Sequence, residues 1–325
     1  MLFTKLKNNS HQSKGPRNSA SSSVLAVPDS SIGPQLDIVR SRHGGKGRKC
    51  PRGPTLSINS GGRLGNKLCR YLTVWILARR IPHASVQIMP AMETKLNPYF
   101  SGHRQLAALS RNCSSAISWH HVRLGENGTF AARLARGESL LIDGGPCPLS
   151  WFYSSRSSIL SELRWSDDIS AAVDRRLARV PRGSKTLVGV HVRRGDYSEW
   201  LRSRLNGHLV SPAYIQCALK LARRRYQRPA FLVSSDDMAW CRRNIAQSDD
   251  VIFVGSNASE AVDMATLARC HHSVVTYGTF GYMSAFLAGG DVVVPTGFSE
   301  KEYLLWAQLE RAPVRVTRLP DAVDC

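Results

Sequence analysis

Apolar and polar positions along this chain follow two different periods, and the contrast divides it. From residue 186 onward, continuous apolar runs at 186–192, 230–234, 251–254, 273–276 and 291–294 are separated by stretches of helical spacing at 212–226, 236–246, 260–269 and 280–287. Unbroken apolar strands alternating with helices predict a parallel sheet covered on both faces, a Rossmann-like domain. Residues 273–295, the longest weakly charged run, fit this scheme as strand, loop, helix and strand. Glycines interrupt the run, whereas a membrane span needs about 20 apolar residues in succession.

The first half is less regular. A β-rich run at 55–59 leads into "SGGRLGNK" and then an apolar helical segment at 68–79, the strand, glycine loop and helix that open an α/β unit. Further strands are predicted at 84–89 and 139–142 and helices at 157–164 and 168–179; the stretch between those two strands has no usable period. Four segments result: a basic stalk at 1–53, an α/β domain at 54–180, a second at 181–298, and a C-terminal helix and tail at 299–325. A length of 325 residues suits two domains.

Hydrophobic and charged contents of 42% and 21% are those of a globular protein, but the net charge of +20 is not. Ten Lys and Arg against two Asp and Glu lie within the first 52 residues, a Ser-, Gly- and Pro-rich stretch that reads as disordered. The rest of the charge favours an anionic partner: a nucleotide, an acidic glycan, a membrane surface or nucleic acid. No secretory apolar region precedes the fold. The eight cysteines include no CxxC, which excludes a zinc ribbon and a thioredoxin motif. Sequons at Asn8, Asn112, Asn127 and Asn257, with the even cysteine count, lean toward the secretory pathway.

The chemistry concentrates where predicted strands end. "LVGVHVRRGDYSEW" (187–200) turns from a buried strand into His191, Arg193, Arg194, Gly195 and Asp196. In an open parallel sheet, ligands bind beyond the carboxyl ends of the strands. Ser235, Asp236 and Asp237 hold that position after the next strand, and residues 276–279 after the fourth. Two arginines, a glycine permitting close approach and a helix starting near Thr279 suit a diphosphate. There is no Walker A sequence, no GxGxxG and no DxD, so arginine rather than Mg²⁺ is expected to neutralise the phosphates.

Four ordered stretches, "GRLGNK" (62–67), "HVRRGDY" (191–197), "SSDDMAWCRRNI" (234–245) and "DMATLARCHHSVVTYGTFGYMSAFLAGGD" (263–291), resemble the motifs of the animal-type galactoside α-1,2-fucosyltransferases, glycosyltransferase family 11. The resemblance implies a GT-B-like α/β fold, two Rossmann-like domains facing across a cleft. It makes residues 54–180 the acceptor side and 181–298 the GDP-fucose-binding side. It further implies inverting, metal-independent transfer of fucose to the 2-hydroxyl of a terminal β-galactose, with GDP-fucose as donor substrate and no cofactor. A Golgi location is implied as well. Two features depart from the pattern: Lys67 replaces the usual Gln, and no N-terminal membrane anchor is visible. The chain is then a fragment, an incomplete gene model, or a protein without a Golgi anchor.

On this resemblance Arg193 is the first choice to stabilise the leaving β-phosphate and Arg194 the alternative. Strand alternation puts His191 and Arg193 on one side and Arg194 on the other. His191 contacts GDP or is a core histidine; Asp236 and Asp237 bind ribose or guanine or cap a helix. Thr279 and Phe280 meet the diphosphate, Gly281 joins them or, with Gly278, only permits tight packing there, and Gly62, Gly65 and Asn66 belong to the acceptor side. Asp196 and Glu199 are candidate bases, and Asp196 equally an ion-pair partner for the arginines. Cys241 and Cys270, flanking helices beside the donor site, are expected to pair in an oxidising lumen. Arg194-Gly195-Asp196 spells an adhesion tripeptide, but at the end of a buried strand it does not suit integrin binding. Without an aromatic stacking platform the basic surface does not suggest a nucleic-acid binder. The alternatives kept are a catalytically silent glycan- or polyanion-binding relative and a fucosyltransferase with another acceptor.

Overall fold

A computed structural model of the chain describes residues 50–101, 106–125, 130–255, 259–301, 303–321 and 325. The stalk lies outside these residues up to 49, as do the sequons at Asn8, Asn127 and Asn257. Asn112 is exposed.

The first half runs β1 (Thr55–Ile58), α1 (Leu64–Arg80), β2 (Ser85–Val86), α2 (Pro90–Leu96), α3 (Arg111–Ala116), β3 (Trp119–Arg123), α4 (Phe130–Ala135), β4 (Ser139–Asp143), α5 (Leu149–Ser154), α6 (Arg156–Glu162) and α7 (Asp167–Leu177). Its four strands form a parallel sheet in the order β2-β1-β4-β3. The stretch without a period contains α2, α3, β3 and α4. These are short, and β3 is an edge strand whose sequence WHHVR buries only Val122 fully. Neither half-exposed edges nor single-turn helices leave a hydrophobic repeat.

The second half runs β5 (Thr186–Val192), α8 (Tyr197–Leu205), α9 (Pro212–Arg225), β6 (Pro229–Ser235), α10 (Met238–Asn244), β7 (Val251–Phe253), α11 (Glu260–Ala268), β8 (His272–Val275), α12 (Thr279–Ala288), β9 (Val292–Thr296), α13 (Leu304–Glu310) and β10 (Val316–Pro320). The sheet order is β10-β9-β8-β5-β6-β7, again all parallel. Val190, Leu232 and Val233 are fully buried because helices cover both faces. Strand order reverses between β5 and β8, and a crevice opens there at the carboxyl edge. The segment read as a tail forms β10, in register with β9 from Val316 opposite Val292 to Pro320 opposite Thr296. Arg315 and Arg318 obscure this strand in the sequence, and charges of that kind protect a sheet edge.

One helix joins the two sheets. α12, TFGYMSAFLA, is apolar on all sides, and residues 281–287 are buried throughout. Each large apolar side chain it buries contributes roughly 1.5–3 kcal/mol. Its ring of Phe286 packs edge-on against Tyr153 from the first half at 5.2 Å. Arg156 caps its end, donating from Nε to the Phe286 carbonyl at 3.0 Å and from Nη2 to that of Leu287 at 2.7 Å. A guanidinium is favoured at a helix C-terminus, where carbonyls are left without amide partners.

Disulfides join Cys50 to Cys113, Cys69 to Cys147 and Cys217 to Cys325. The expected Cys241–Cys270 bond does not form; both are buried free thiols. The sheet keeps them apart. Cys241 shares the main core with Phe231 and Val233, whereas Cys270 packs with Ala230 and Leu232, and alternate residues of β6 point to opposite faces.

Candidate active site

The reversal of strand order places the ends of β5, β6 and β8 around a cavity of about 270 Å³, closed on its far side by the start of α1. His191 and Arg193 point into it from β5 and the turn that follows; Arg194 does not line it. Arg194 lies over Trp240, its guanidinium carbon 3.8 Å from the ring centre, and reaches the Val210 carbonyl at 3.4 Å. The alternation expected for the three residues therefore persists past the strand.

Arg193 is held from several sides. Its backbone N–H donates to Thr276 Oγ1 at 2.9 Å, and its guanidinium, 14% exposed, pairs with Asp236 at 2.8 Å and with Asp196. Asp236 also accepts from the Arg194 N–H at 2.8 Å, which fixes the turn. A Cβ at Gly195 would run into the Asp236 carboxylate, so any larger residue there would have to push that carboxylate aside. Of the two adjacent aspartates, only Asp236 faces the cavity. Asp237 caps α10 by accepting from the Trp240 N–H at 2.9 Å.

His191 is 5% exposed and stacks on Phe280 with ring centres 5.1 Å apart. Its Nδ1 has no hydrogen-bond partner among the described residues. Burial, helped by the charge of Arg193, pushes its pKa down to about 3, so the ring is neutral near pH 7. Gly281 acts as a spacer, since a Cβ there would lie 2.5 Å from Nδ1.

Two helix starts meet at this point. α1 begins at Leu64, earlier than the expected 68, so Gly65 and Asn66 lie in its first turn rather than in a loop. Gly65 lets that turn approach α12: a Cβ would be 2.6 Å from the Phe280 amide nitrogen. Thr279 Oγ1 donates to Asn66 Oδ1 at 3.0 Å. Gly278 supplies the positive φ of 86° that starts α12, and Gly62 the φ of 84° ahead of α1.

Asp196 is engaged at both oxygens, one by Arg193 and the other by Arg63 at 3.2 Å. Glu199 pairs with Arg202 and lies outside the cavity. Lys67 also lies outside it, donating to the Ser60 carbonyl; burial and the charges of Arg70 and Lys95 lower its pKa.

The wall includes residues that sequence reasoning did not single out. Arg63 comes from the first half; Tyr197 stacks on Tyr277 at 5.2 Å, with Arg193 above it at 5.3 Å. Asp263 is buried, bound to Arg176 at 2.7 Å and to Ser234 Oγ at 3.2 Å. Glu260 pairs across the cleft with Lys95 of α2. Arg63 and Asp263 stand inside motifs already quoted, so a signal existed; Glu260 carried none beyond its place in the first turn of a helix. Guanidinium, helix start and buried carboxylates together suit a ligand with phosphates at one end and N–H donors at the other.

The family model described as Glycosyl transferase family 11 matches residues 38–305. A galactoside 2-alpha-L-fucosyltransferase of Bos taurus is 38% identical over 258 residues, covering 78% of this chain and 69% of the relative. A galactoside alpha-(1,2)-fucosyltransferase 1 of Ateles belzebuth is 36% identical over 270 residues, covering 78% and 73%. Among solved structures, a mutant of Arabidopsis thaliana FUT1 in complex with GDP superposes with a TM-score of 0.50 at 12% identity, covering 79% of this chain and 72% of that one. This last likeness concerns the fold alone, which is α/β and GT-B-like.

Proposed function

The chain belongs to glycosyl transferase family 11, and on that premise we propose that it transfers L-fucose from GDP-fucose to the 2-hydroxyl of a terminal β-galactose on a glycan, with inversion at C1 and without a metal. The observation that carries this reading is the convergence of Arg193 and the start of α12 on one cavity at the switch of strand order.

In the proposed reaction the bond between fucose C1 and the β-phosphate oxygen breaks as galactose O2 attacks from the opposite face of the sugar. Positive charge develops on the fucosyl ring and negative charge on the phosphate. Arg193 and the N–H groups at Thr279 and Phe280 oppose that negative charge, and they do so more strongly as it grows. The proton on O2 passes to solvent water as the new bond forms, and GDP leaves with the electron pair of the broken C1–O bond. Asp196, already engaged by two guanidinium groups, is assigned to ordering the Arg193 turn rather than to taking this proton. Neutral His191 and Phe280 offer a flat wall for the nucleoside, and the carboxylates of Asp236 and Asp263 offer acceptors for its ribose hydroxyls and guanine N–H groups. Asn66 and Gly65 bring the acceptor half to the same point.

Three disulfides support an oxidising compartment, and we place the protein in the Golgi lumen. No helix among the described residues is long and apolar enough to cross a membrane. The test is incubation with GDP-fucose and a set of β-galactosides, with and without EDTA. Release of GDP only when a galactoside is present, unaffected by EDTA, with fucose on the 2-hydroxyl, is the expected result. A linkage to another hydroxyl would overturn the acceptor assignment, and loss in EDTA restored by Mn²⁺ would overturn the arginine-based mechanism.

A further inference from the structure

We infer that a second cavity, of about 690 Å³ beyond the carboxyl ends of β1 and β2, is a subsite for an anionic group on the acceptor, a sulfate or carboxylate carried by the sugar next to the galactose. The inference rests on the transfer reading above.

The cavity has an apolar floor of Met89, Pro90 and Ala91, and its charged wall residues are Lys95 and Arg111. Among the described residues no carboxylate lines it. Lys95 is already matched, one to one, by Glu260, whereas Arg111 has no ion-pair partner among the described residues. Lys67 adds a third cation at the margin, its ammonium on the carbonyl of Ser60, a wall residue. Two cations, Lys95 and Arg111, thus line the cavity and only Lys95 is matched by a carboxylate, while the pKa of Lys67 at its margin is lowered chiefly by burial and then by Arg70 and Lys95. An apolar floor accepts the C–H face of a sugar ring, and an unmatched guanidinium at its edge selects a planar or tetrahedral oxyanion.

The position fits an acceptor. The chain from Asn59 and Ser60, which line this cavity, runs directly to Arg63, Gly65 and Asn66, which line the donor cavity. Ser60 and Arg63 are three residues apart, at most about 11 Å along extended chain. The pair between Lys95 and Glu260 joins the same two walls a second time. A glycan whose terminal galactose meets the donor therefore sets its next ring beside Arg111.

The experiment compares a neutral β-galactosyl disaccharide with the same disaccharide sulfated on its second sugar. Binding of each is measured by calorimetry in the presence of GDP, at low salt and at about 0.5 M salt, where the Debye length falls to a few ångströms. The sulfated compound is expected to bind about tenfold to a hundredfold more tightly at low salt, the range of one charge-assisted hydrogen bond. Arg111→Gln should remove most of that ratio and Arg111→Lys only part of it. GDP stabilisation of each variant reports that it has folded. Equal binding of the two disaccharides, or a ratio unmoved by Arg111→Gln, overturns the inference. Preferential binding of the sulfated compound with no fucose transfer to either would instead count against the transfer reading and leave the subsite standing.

Discussion

The two sheets solve the same structural problem with different means. In the second half, strands are buried on both faces and their polar residues follow directly at the carboxyl edge, so fold and site come from the same contiguous stretches. The first half has a four-stranded sheet with a two-residue edge strand and several single-turn helices. Two of the three disulfides, Cys50–Cys113 and Cys69–Cys147, tie it together. A site for a nucleotide can be written in a few adjacent residues, because phosphate and base are fixed chemical features. A surface for a glycan is assembled from distant short pieces, which then need covalent fastening.

That contrast can be broken in four places. The largest expected effect belongs to the second half. The ordinary pKa of His191 is 6.5 and its folded value about 3, so the unfolded chain binds the extra proton between these values. Stability contributed by the neutral ring is present above pH ~6.5 and is lost as pH falls toward ~3, about 5 kcal/mol in all. Denaturant unfolding from pH 4 to 6 should show a slope about 1.4 kcal/mol per pH unit steeper for the native chain than for His191→Gln. Equal slopes would mean that the imidazole is not buried as described.

Next comes the fastening of the first half. Cys69 and Cys147 lie 78 residues apart, and replacing both with alanine should cost about 4 kcal/mol by loop entropy. If denaturation midpoints barely change, the first half stands without its staples and the comparison fails.

Arg193→Lys should lower kcat about a hundred- to a thousandfold, because a point charge does not replace a planar fork aimed at phosphate. Arg194→Lys should lose less, since Arg194 stacks on Trp240 outside the cavity. The reverse order in steady-state kinetics would move the phosphate site to the other side of the strand.

The smallest effect sharpens the seam between the halves. Gly65→Ala sets a methyl 2.6 Å from the Phe280 amide nitrogen and should cost about 1–3 kcal/mol in stability as α1 is pushed from α12. A thermal melt with no loss would show that the helix starts are not in contact.

Much of the second half was open to reading from its residues. The strand at 186–192 ends where the apolar run ends, and the stacked motifs mark the cavity. Three things were hidden. α8 starts within residues read as strand-end chemistry, so Glu199 was drawn toward the site when its helix carries it outward. The pairing of cysteines depends on which face of β6 each lies under, and no spacing encodes that. Glu260 and Lys95 meet only because α2 and α11, 165 residues apart between the two side chains, face one another across the cleft. Contacts made by folding between remote helices leave no local pattern.

The bonds of Arg193 to Asp196 and Asp236 have a consequence for how the site handles electrolytes. The guanidinium has built-in counterions, so a phosphate taking its place beside Arg193 displaces protein carboxylates rather than dissolved chloride. Binding is then an exchange of one anion for another inside the protein, and few small ions are released to bulk solvent. On the proposed function, the affinity for GDP is therefore expected to vary little with ionic strength, in contrast to an open cationic groove, whose affinity falls steeply as salt is added.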